Sequence, residues 1–313
     1  MKLLLLGADG QVGFALQQSL QALGEVRLAT RRGALPGLLP CLAADLADPQ
    51  QLRALIRAER PDWIVNAAAY TAVDRAEDEE ELAWRINAAA LAVIGQAAAE
   101  TGARVVHYST DYVFAGDGET PWREDDRIAP LGVYGQSKAS GEKALRDSGA
   151  AQLILRTAWV YGPRGNNFLR TMLRLGDERE RLSVVADQIG TPTTATLIAA
   201  VTAQLIGALG GATAGDPRYG TYHLTASGHT SWHGFAEAIF ATAQSAGLIA
   251  RTPELAAITS AQYPTRALRP AWSVLDTHKL RSRFGIHLPH WQHGLSSTLS
   301  AIADERTRWP RRP

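Results

Sequence analysis

The sequence holds one cysteine, Cys41, in 313 residues. A lone thiol forms no intrachain disulfide, so burial must hold the fold together, and the setting it suggests is reducing and cytoplasmic. An excess of charge is missing too: 32 basic and 31 acidic side chains leave a net charge of +1. Such a balance provides no field to gather nucleic acid or an anionic membrane surface. The chain has no unbroken apolar run of membrane-spanning length, and Met1 to Leu6 is too short to be a signal peptide's apolar region. The eight histidines lack metal-ligand spacing such as HExxH, so no metal site is expected from them. Neither an internal repeat nor a low-complexity linker interrupts the chain. Its 46% hydrophobic and 20% charged content is that of an ordinary soluble enzyme with a full core.

What is present centres on Tyr134-Gly135-Gln136-Ser137-Lys138. A tyrosine and a lysine four residues apart on a helix share one face, a turn apart. An ammonium beside a phenol favours the phenolate, so Lys138 is expected to draw the Tyr134 pKa down from about 10 and make it an acid near neutral pH. Chance spacing reads the same way, but the chain writes 28 of its basic positions as arginine and four as lysine, one of them here. Upstream, Ser109-Thr110-Asp111 follows an apolar strand run. Thr110 there either orients a substrate carbonyl or simply caps a strand end.

In chain order, Lys2 to Leu6 reads as a buried strand, Gly7-Ala8-Asp9-Gly10-Gln11-Val12-Gly13 as a glycine loop, and Val12, Leu16, Leu20 and Leu23 as one helix face. Strand, glycine loop and helix in that order suit a dinucleotide. Gly7, Gly10 and Gly13 permit a tight turn and close backbone approach, and the helix opening at Gln11 and Val12 offers free N–H groups to a pyrophosphate. The second strand ends in Thr30-Arg31-Arg32, where an NAD enzyme places an acid for the ribose 2′-hydroxyl. Guanidinium groups suit a 2′-phosphate instead, so NADPH is expected, unless Arg31 and Arg32 face only water. A Gly/Pro-rich loop follows, then a short third strand ending at Asp45-Leu46, beside the expected adenine. A fourth strand from Trp63 runs into Ala67, Ala68 and Ala69, small residues that either leave room for a cofactor or pack tightly. Residues 77–100 read as one helix carrying Asn87, either a structural polar group or a relay member. Later helices are expected through Tyr134 and Lys138 to about Ser148, over 193–209 and over 231–246, the last with Trp232, Phe235, Ala236 and Ile239 on a core face. The tail Arg306 to Pro313 is expected to fray.

Four stretches together, GxxGxxG at 7–13, Asn66-Ala67-Ala68-Ala69, Ser-Thr-Asp-Tyr-Val-Phe at 109–114 and Tyr-Gly-x-Ser-Lys-x-x-Gly-Glu at 134–142, resemble the extended short-chain dehydrogenase/reductases. Nearly the whole chain, through Gly165-Asn166-Asn167-Phe168, Asp187 to Thr193, Tyr222-His223-Leu224, Tyr263-Pro264-Thr265 and Arg269-Pro270, is similar to the branch that reduces dTDP-4-dehydro sugars. The resemblance implies a Rossmann-like doubly wound parallel α/β sheet in residues 1–165 and a smaller C-terminal α/β substrate lobe mainly in 166–313, with the chain returning to the first lobe later. It implies reduction of the C4 ketone of dTDP-4-dehydro-L-rhamnose by NADPH, or by NADH, for surface polysaccharide such as O-antigen. Tyr134 is then the proton donor, Lys138 grips the nicotinamide ribose, Thr110 orients the ketone, and Tyr108 joins the cofactor contacts. Val73, Asp74, Asp111, Trp159, Asn167 and Arg269 fall in the substrate pocket. Trp159 presents a flat face to the sugar or is a core residue, and Arg269 meets the diphosphate or faces water. Dehydratases of this superfamily place Asp-Glu after the threonine, whereas here Tyr112 follows Asp111. A non-catalytic regulatory subunit is the other alternative, yet Tyr134 and Lys138 are both present. Some similar reductases hold Mg²⁺ between subunits through glutamates, which fall here at Ala15 and Thr196. A Mg²⁺-bridged dimer is therefore not expected, and a monomer or weak homodimer is.

Overall fold

Apolar strand runs separated by helical periodicity bury their surfaces by alternating across a parallel sheet. The computed structural model describes residues 1–35 and 41–308. Its first half runs β1 (Lys2–Leu6), α1 (Gln11–Ser19), β2 (Glu25–Thr30), β3 (Leu42–Ala43), α2 (Pro49–Glu59), β4 (Trp63–Asn66), α3 (Val73–Ala76), α4 (Glu80–Trp84), α5 (Ala90–Thr101), β5 (Arg104–Thr110), α6 (Val133–Asp147) and β6 (Gln152–Thr157). The second half adds β7 (Val160–Tyr161), α7 (Phe168–Glu178), β8 (Arg181–Val185), β9 (Ile189–Gly190), β10 (Thr193–Thr194), α8 (Ala195–Ala208), β11 (Gly220–His223), β12 (Thr230–Ser231), α9 (Trp232–Ser245), β13 (Glu254–Ile258), α10 (His278–Phe284) and α11 (Trp291–Arg308).

Seven strands pair in parallel in the order β11-β6-β5-β4-β1-β2-β3. The order reverses between β1 and β4, and ligands of open α/β sheets bind at the carboxyl ends beside such a reversal. Two apolar layers sandwich the sheet, one joining Leu3, Leu5 and Leu16 to Ile198 and Leu205 of α8. The other joins Leu4, Leu6 and Ile64 to Leu91, Ile94 and Ala98 of α5. Residues 195–208 and 220–223 thus build the lobe of the seven-stranded sheet although they lie beyond residue 165. The other lobe has its own core, in which Leu169, Leu173, Phe235, Ile239, Leu295 and Leu299 pack α7, α9 and α11 together. The parallel pair β8 and β13 belongs to it.

The helix expected over 77–100 is interrupted. A π-helical turn at Arg85–Ala89 joins α4 to α5 and carries Asn87, and such bulges re-aim side chains at functional sites. Gly141 lets α6 press against that turn, since a Cβ there would lie 2.0 Å from the Asn87 carbonyl oxygen. Glu80–Thr101, which among the described helices has the length and apolar content to cross a membrane, packs Leu91 and Ile94 under the sheet. The helix α11 continues to Arg308, past the point where fraying was expected. The rest of the tail, and residues 36–40 of the Gly/Pro-rich loop, lie outside the described residues.

Candidate active site

The carboxyl ends of β1, β4, β5 and β6 open onto one cleft of about 880 Å³. Its floor at β1 is the glycine loop. Gly7 has φ +76, and a side chain there would meet Ala68 at 2.7 Å. Gly10, Gln11, Val12, Ala67, Ala68 and Ala69 line this end, with Asp45 and Leu46 beside them. Gly13 does not line it: a Cβ at Gly13 would lie 1.9 Å from the Gly7 carbonyl oxygen, so this glycine lets α1 close onto the loop. No side chain caps the start of α1, which leaves its first N–H groups free for an anion. Arg31 lines the cleft, whereas Arg32 faces a neighbouring hollow shared with Phe14, Arg164 and Arg170. Gln11 ties this floor to the other lobe: it donates to the Asn166 carbonyl at 3.4 Å and accepts from Asn167 Nδ2 at 2.7 Å.

At the centre stand Thr110, Asp111, Tyr134 and Lys138. Thr110 Oγ1 donates to Asp111 Oδ1 at 2.9 Å and accepts from the Tyr112 N–H at 3.2 Å. Lys138, 2% exposed, donates from Nζ to the Tyr108 carbonyl at 2.6 Å and lies 3.1 Å from His107 Nε2. Its bonds go to these groups and not to the phenol, so the expected lowering of the Tyr134 pKa does not occur. Burial pushes that phenol well above its ordinary value, the Asp111 charge adding and a Thr110 contact opposing. Burial brings Lys138 down to about 8 against the opposing Glu142 carboxylate. Asp111 is pushed up to about 6, again by burial, with the Thr110 and Ser273 hydroxyls opposing. Its Oδ2 meets no donor in hydrogen-bonding geometry, and neither does the buried Thr157 hydroxyl at the end of β6. Tyr108 enters through its backbone; its own hydroxyl bonds Thr202 at 2.8 Å.

Beyond them lies an aromatic wall. Trp159 takes a left-handed φ of +47, unusual for a bulky residue, and Gly190 makes room for its ring, which a Cβ there would meet at 2.4 Å. Trp159 stacks on Trp232 with ring centres 3.5 Å apart, and Phe168 leans on Trp232 at 4.7 Å. Trp232, expected in the core, therefore lines the cleft. Val73 and Arg269 line it too, while Asp74 does not: its carboxylate pairs with Arg269 at 2.7 Å and accepts from the Ala267 N–H at 3.2 Å. Asn167 lines the cleft but spends its polar atoms on structure, capping α7 through the Arg170 N–H at 3.0 Å and donating to the Gly162 carbonyl at 3.0 Å. Asn87 behaves similarly, bonding both backbone groups of Tyr70 and donating to Ser137 Oγ at 3.1 Å.

Sequence reasoning missed His107, Thr157 and Trp232. A histidine inside the apolar run Val105-Val106-His107 is a signal that was available, because a buried polar group needs a partner. Nothing local marks Trp232. Among the described residues no three His, Cys, Asp or Glu side chains gather as metal ligands.

Residues 1–303 match the family described as RmlD substrate binding domain. A dTDP-4-dehydrorhamnose reductase of Salmonella typhimurium is 47% identical over 303 residues, covering 96% of this chain and 98% of the relative. Among solved structures, a dTDP-4-dehydrorhamnose reductase from Clostridium acetobutylicum superposes with a TM-score of 0.86 at 33% identity, over 96% of this chain and 99% of that one. A Bacillus anthracis dTDP-4-dehydrorhamnose reductase in complex with NADP gives 0.84 at 34% identity, over 95% and 98%.

Proposed function

The chain belongs to the RmlD substrate-binding-domain family, and from that premise we propose that it reduces the C4 ketone of dTDP-4-dehydro-L-rhamnose to dTDP-L-rhamnose with NADPH. The observation that carries this reading is the meeting of Thr110, Tyr134 and Lys138 with an uncapped glycine-loop helix in one cleft. The residues fit a dinucleotide: side chains at Gly7 or Gly13 would collide with backbone, and the α1 terminus awaits an anion. NADPH, when bound, supplies the hydride that the ketone carbon accepts. Arg31, with Arg32 behind it, would meet the 2′-phosphate, and Ala67 to Ala69 would leave room for the cofactor's body.

Tyr134 Oη gives its proton to the ketone oxygen as that oxygen gains charge, and its raised pKa keeps the proton in place until then. Lys138 places positive charge behind the phenolate that results. The Thr110 hydroxyl orients the ketone, and the spare Asp111 Oδ2 suits a sugar hydroxyl as donor. Trp159 and Trp232 offer apolar faces to the deoxysugar's methyl and C–H edges. Ala15 and Thr196, which offer no carboxylate, support a monomer or weak homodimer that needs no Mg²⁺. The free thiol of Cys41 supports a cytoplasmic enzyme. Purified protein given NADPH and the keto-sugar should consume both and form dTDP-L-rhamnose. No NADPH consumption, with an epimerised or dehydrated sugar or no turnover at all, would replace the proposal with an epimerase, a dehydratase or a binding subunit.

A further inference from the structure

Lys138 ends a buried chain of polar groups that runs from α6 across the adjacent strands β5 and β4. Its Nζ lies 3.1 Å from His107 Nε2, and His107 Nδ1 lies 3.2 Å from the side-chain amide nitrogen of Asn66. The amide's other end lies 3.2 Å from the Ala68 backbone nitrogen. His107 is wholly buried and Asn66 is 1% exposed, so bulk solvent does not reach these atoms.

The last link sets the polarity of the rest. A backbone N–H can only donate, so the Asn66 atom facing Ala68 is the oxygen and the one facing His107 is the NH₂. Nδ1 must then accept and carries no proton. A neutral imidazole keeps one proton, which is left on Nε2, facing Lys138. Burial keeps the ring neutral, holding its pKa well below the ordinary value, and the Lys138 charge adds to this. An Nε2–H is satisfied by the lone pair of an amine, whereas an ammonium sets donor against donor. In either form Lys138 still donates to the Tyr108 carbonyl.

We propose that His107 is a positioning residue for the reduction: by presenting Nε2–H to Nζ, it makes the amine the better hydrogen-bonded form of Lys138 and so sets when the lysine carries its proton. A well-paired ammonium would need the ring proton on Nδ1 and the Asn66 amide turned over, which strips the Ala68 N–H of its acceptor. The charge of Lys138 is thereby coupled to the backbone that lines the cofactor end of the cleft. The other ionisable groups around Lys138 are Glu142 and Tyr134 on α6 and Asp111 after β5. Arg156 on β6 acts through its pair with Glu142 at 2.8 Å. Glu142 favours the ammonium; His107 opposes it.

The inference rests on Lys138 serving the reductase chemistry, so its test has an arm that needs no substrate. Nitrogen NMR of histidine-labelled protein at neutral pH should show one imidazole, absent from His107→Gln, with Nε2 protonated and Nδ1 bare. The opposite tautomer would overturn the proposal. In the assay, kcat should fall as pH rises through about 8, where Lys138 gives up its proton. His107→Gln offers the ammonium a carbonyl oxygen, so it should move that alkaline limb upward by about one pH unit, a tenfold change in the apparent constant, with KM for NADPH little altered. An unmoved limb would also overturn it. Should the variant not fold, sequential backbone-to-ring assignment identifies the His107 imidazole in the native protein, and its tautomer decides alone.

Discussion

A phenol held above its ordinary pKa is fully protonated through the neutral range, the form a proton donor needs when a ketone is reduced. Tyr134→Phe keeps the ring and its edge contact with Tyr112 and removes only the proton. Turnover should fall by at least the ~10²-fold typical of a lost general acid, with cofactor affinity by fluorescence titration largely kept. Near-normal turnover would place the acid elsewhere. Asp111 supplies a different readout. Its folded pKa of about 6 lies above the 3.8 of a free aspartate. Such a group contributes stability in full below the lower value and loses it as pH rises through the upper one. Asp111→Asn cannot ionise, so thermal melts should show the variant gaining on the native protein between about pH 3.5 and pH 7, by roughly 2–3 kcal/mol. A pH-independent difference would mean that Asp111 Oδ2 also finds a donor when folded.

Among the elements, the end of β2 carries the proposed preference for NADPH. Arg31 reaches the cleft and Arg32 the hollow beside it, so Arg31→Ala should raise KM for NADPH by roughly tenfold, the loss of one charge-assisted bond, and Arg32→Ala by less. An unchanged NADPH to NADH ratio of kcat/KM in both variants would make the pair a solvated loop. The β1 strand, its glycine loop, α1 and the Tyr134–Lys138 face were legible in the sequence because each follows from spacing within a dozen residues. The π turn at Asn87 was not, since the helix face it packs against arrives at Gly141, some fifty residues on. Nor could Trp232 be told from its helix-mates Phe235 and Ile239, because only the approach of Trp159 turns it from core to wall. Asp74 and Arg269 were both assigned to substrate from the motifs they match. Their ion pair spans 195 positions, a separation that local patterns do not report. The same holds for Lys138: its place beside Tyr134 was readable, its partners on β5 were not.

For the whole molecule, Ala15 on α1 and Thr196 on α8 offer no carboxylate to a divalent cation, and Mg²⁺ asks for at least one. Activity should be indifferent to EDTA, and the mass in solution should not respond to Mg²⁺ by light scattering. Loss of activity on chelation, restored by Mg²⁺ together with dimer formation, would overturn this. The passage of the chain between lobes bears on biogenesis as well. When residue 165 leaves the ribosome, β6 is still an open edge, because β11 pairs with it only at Gly220–His223. The Leu3 and Leu5 face is also bare, because α8 has not been made. An unpaired edge above an uncovered apolar face is the combination that draws other chains into aggregates. The amino-terminal half is therefore a nascent chain in need of protection rather than a module that could be cut out or transplanted. The commitment to fold comes late in synthesis, once two short segments of the second half have reached back.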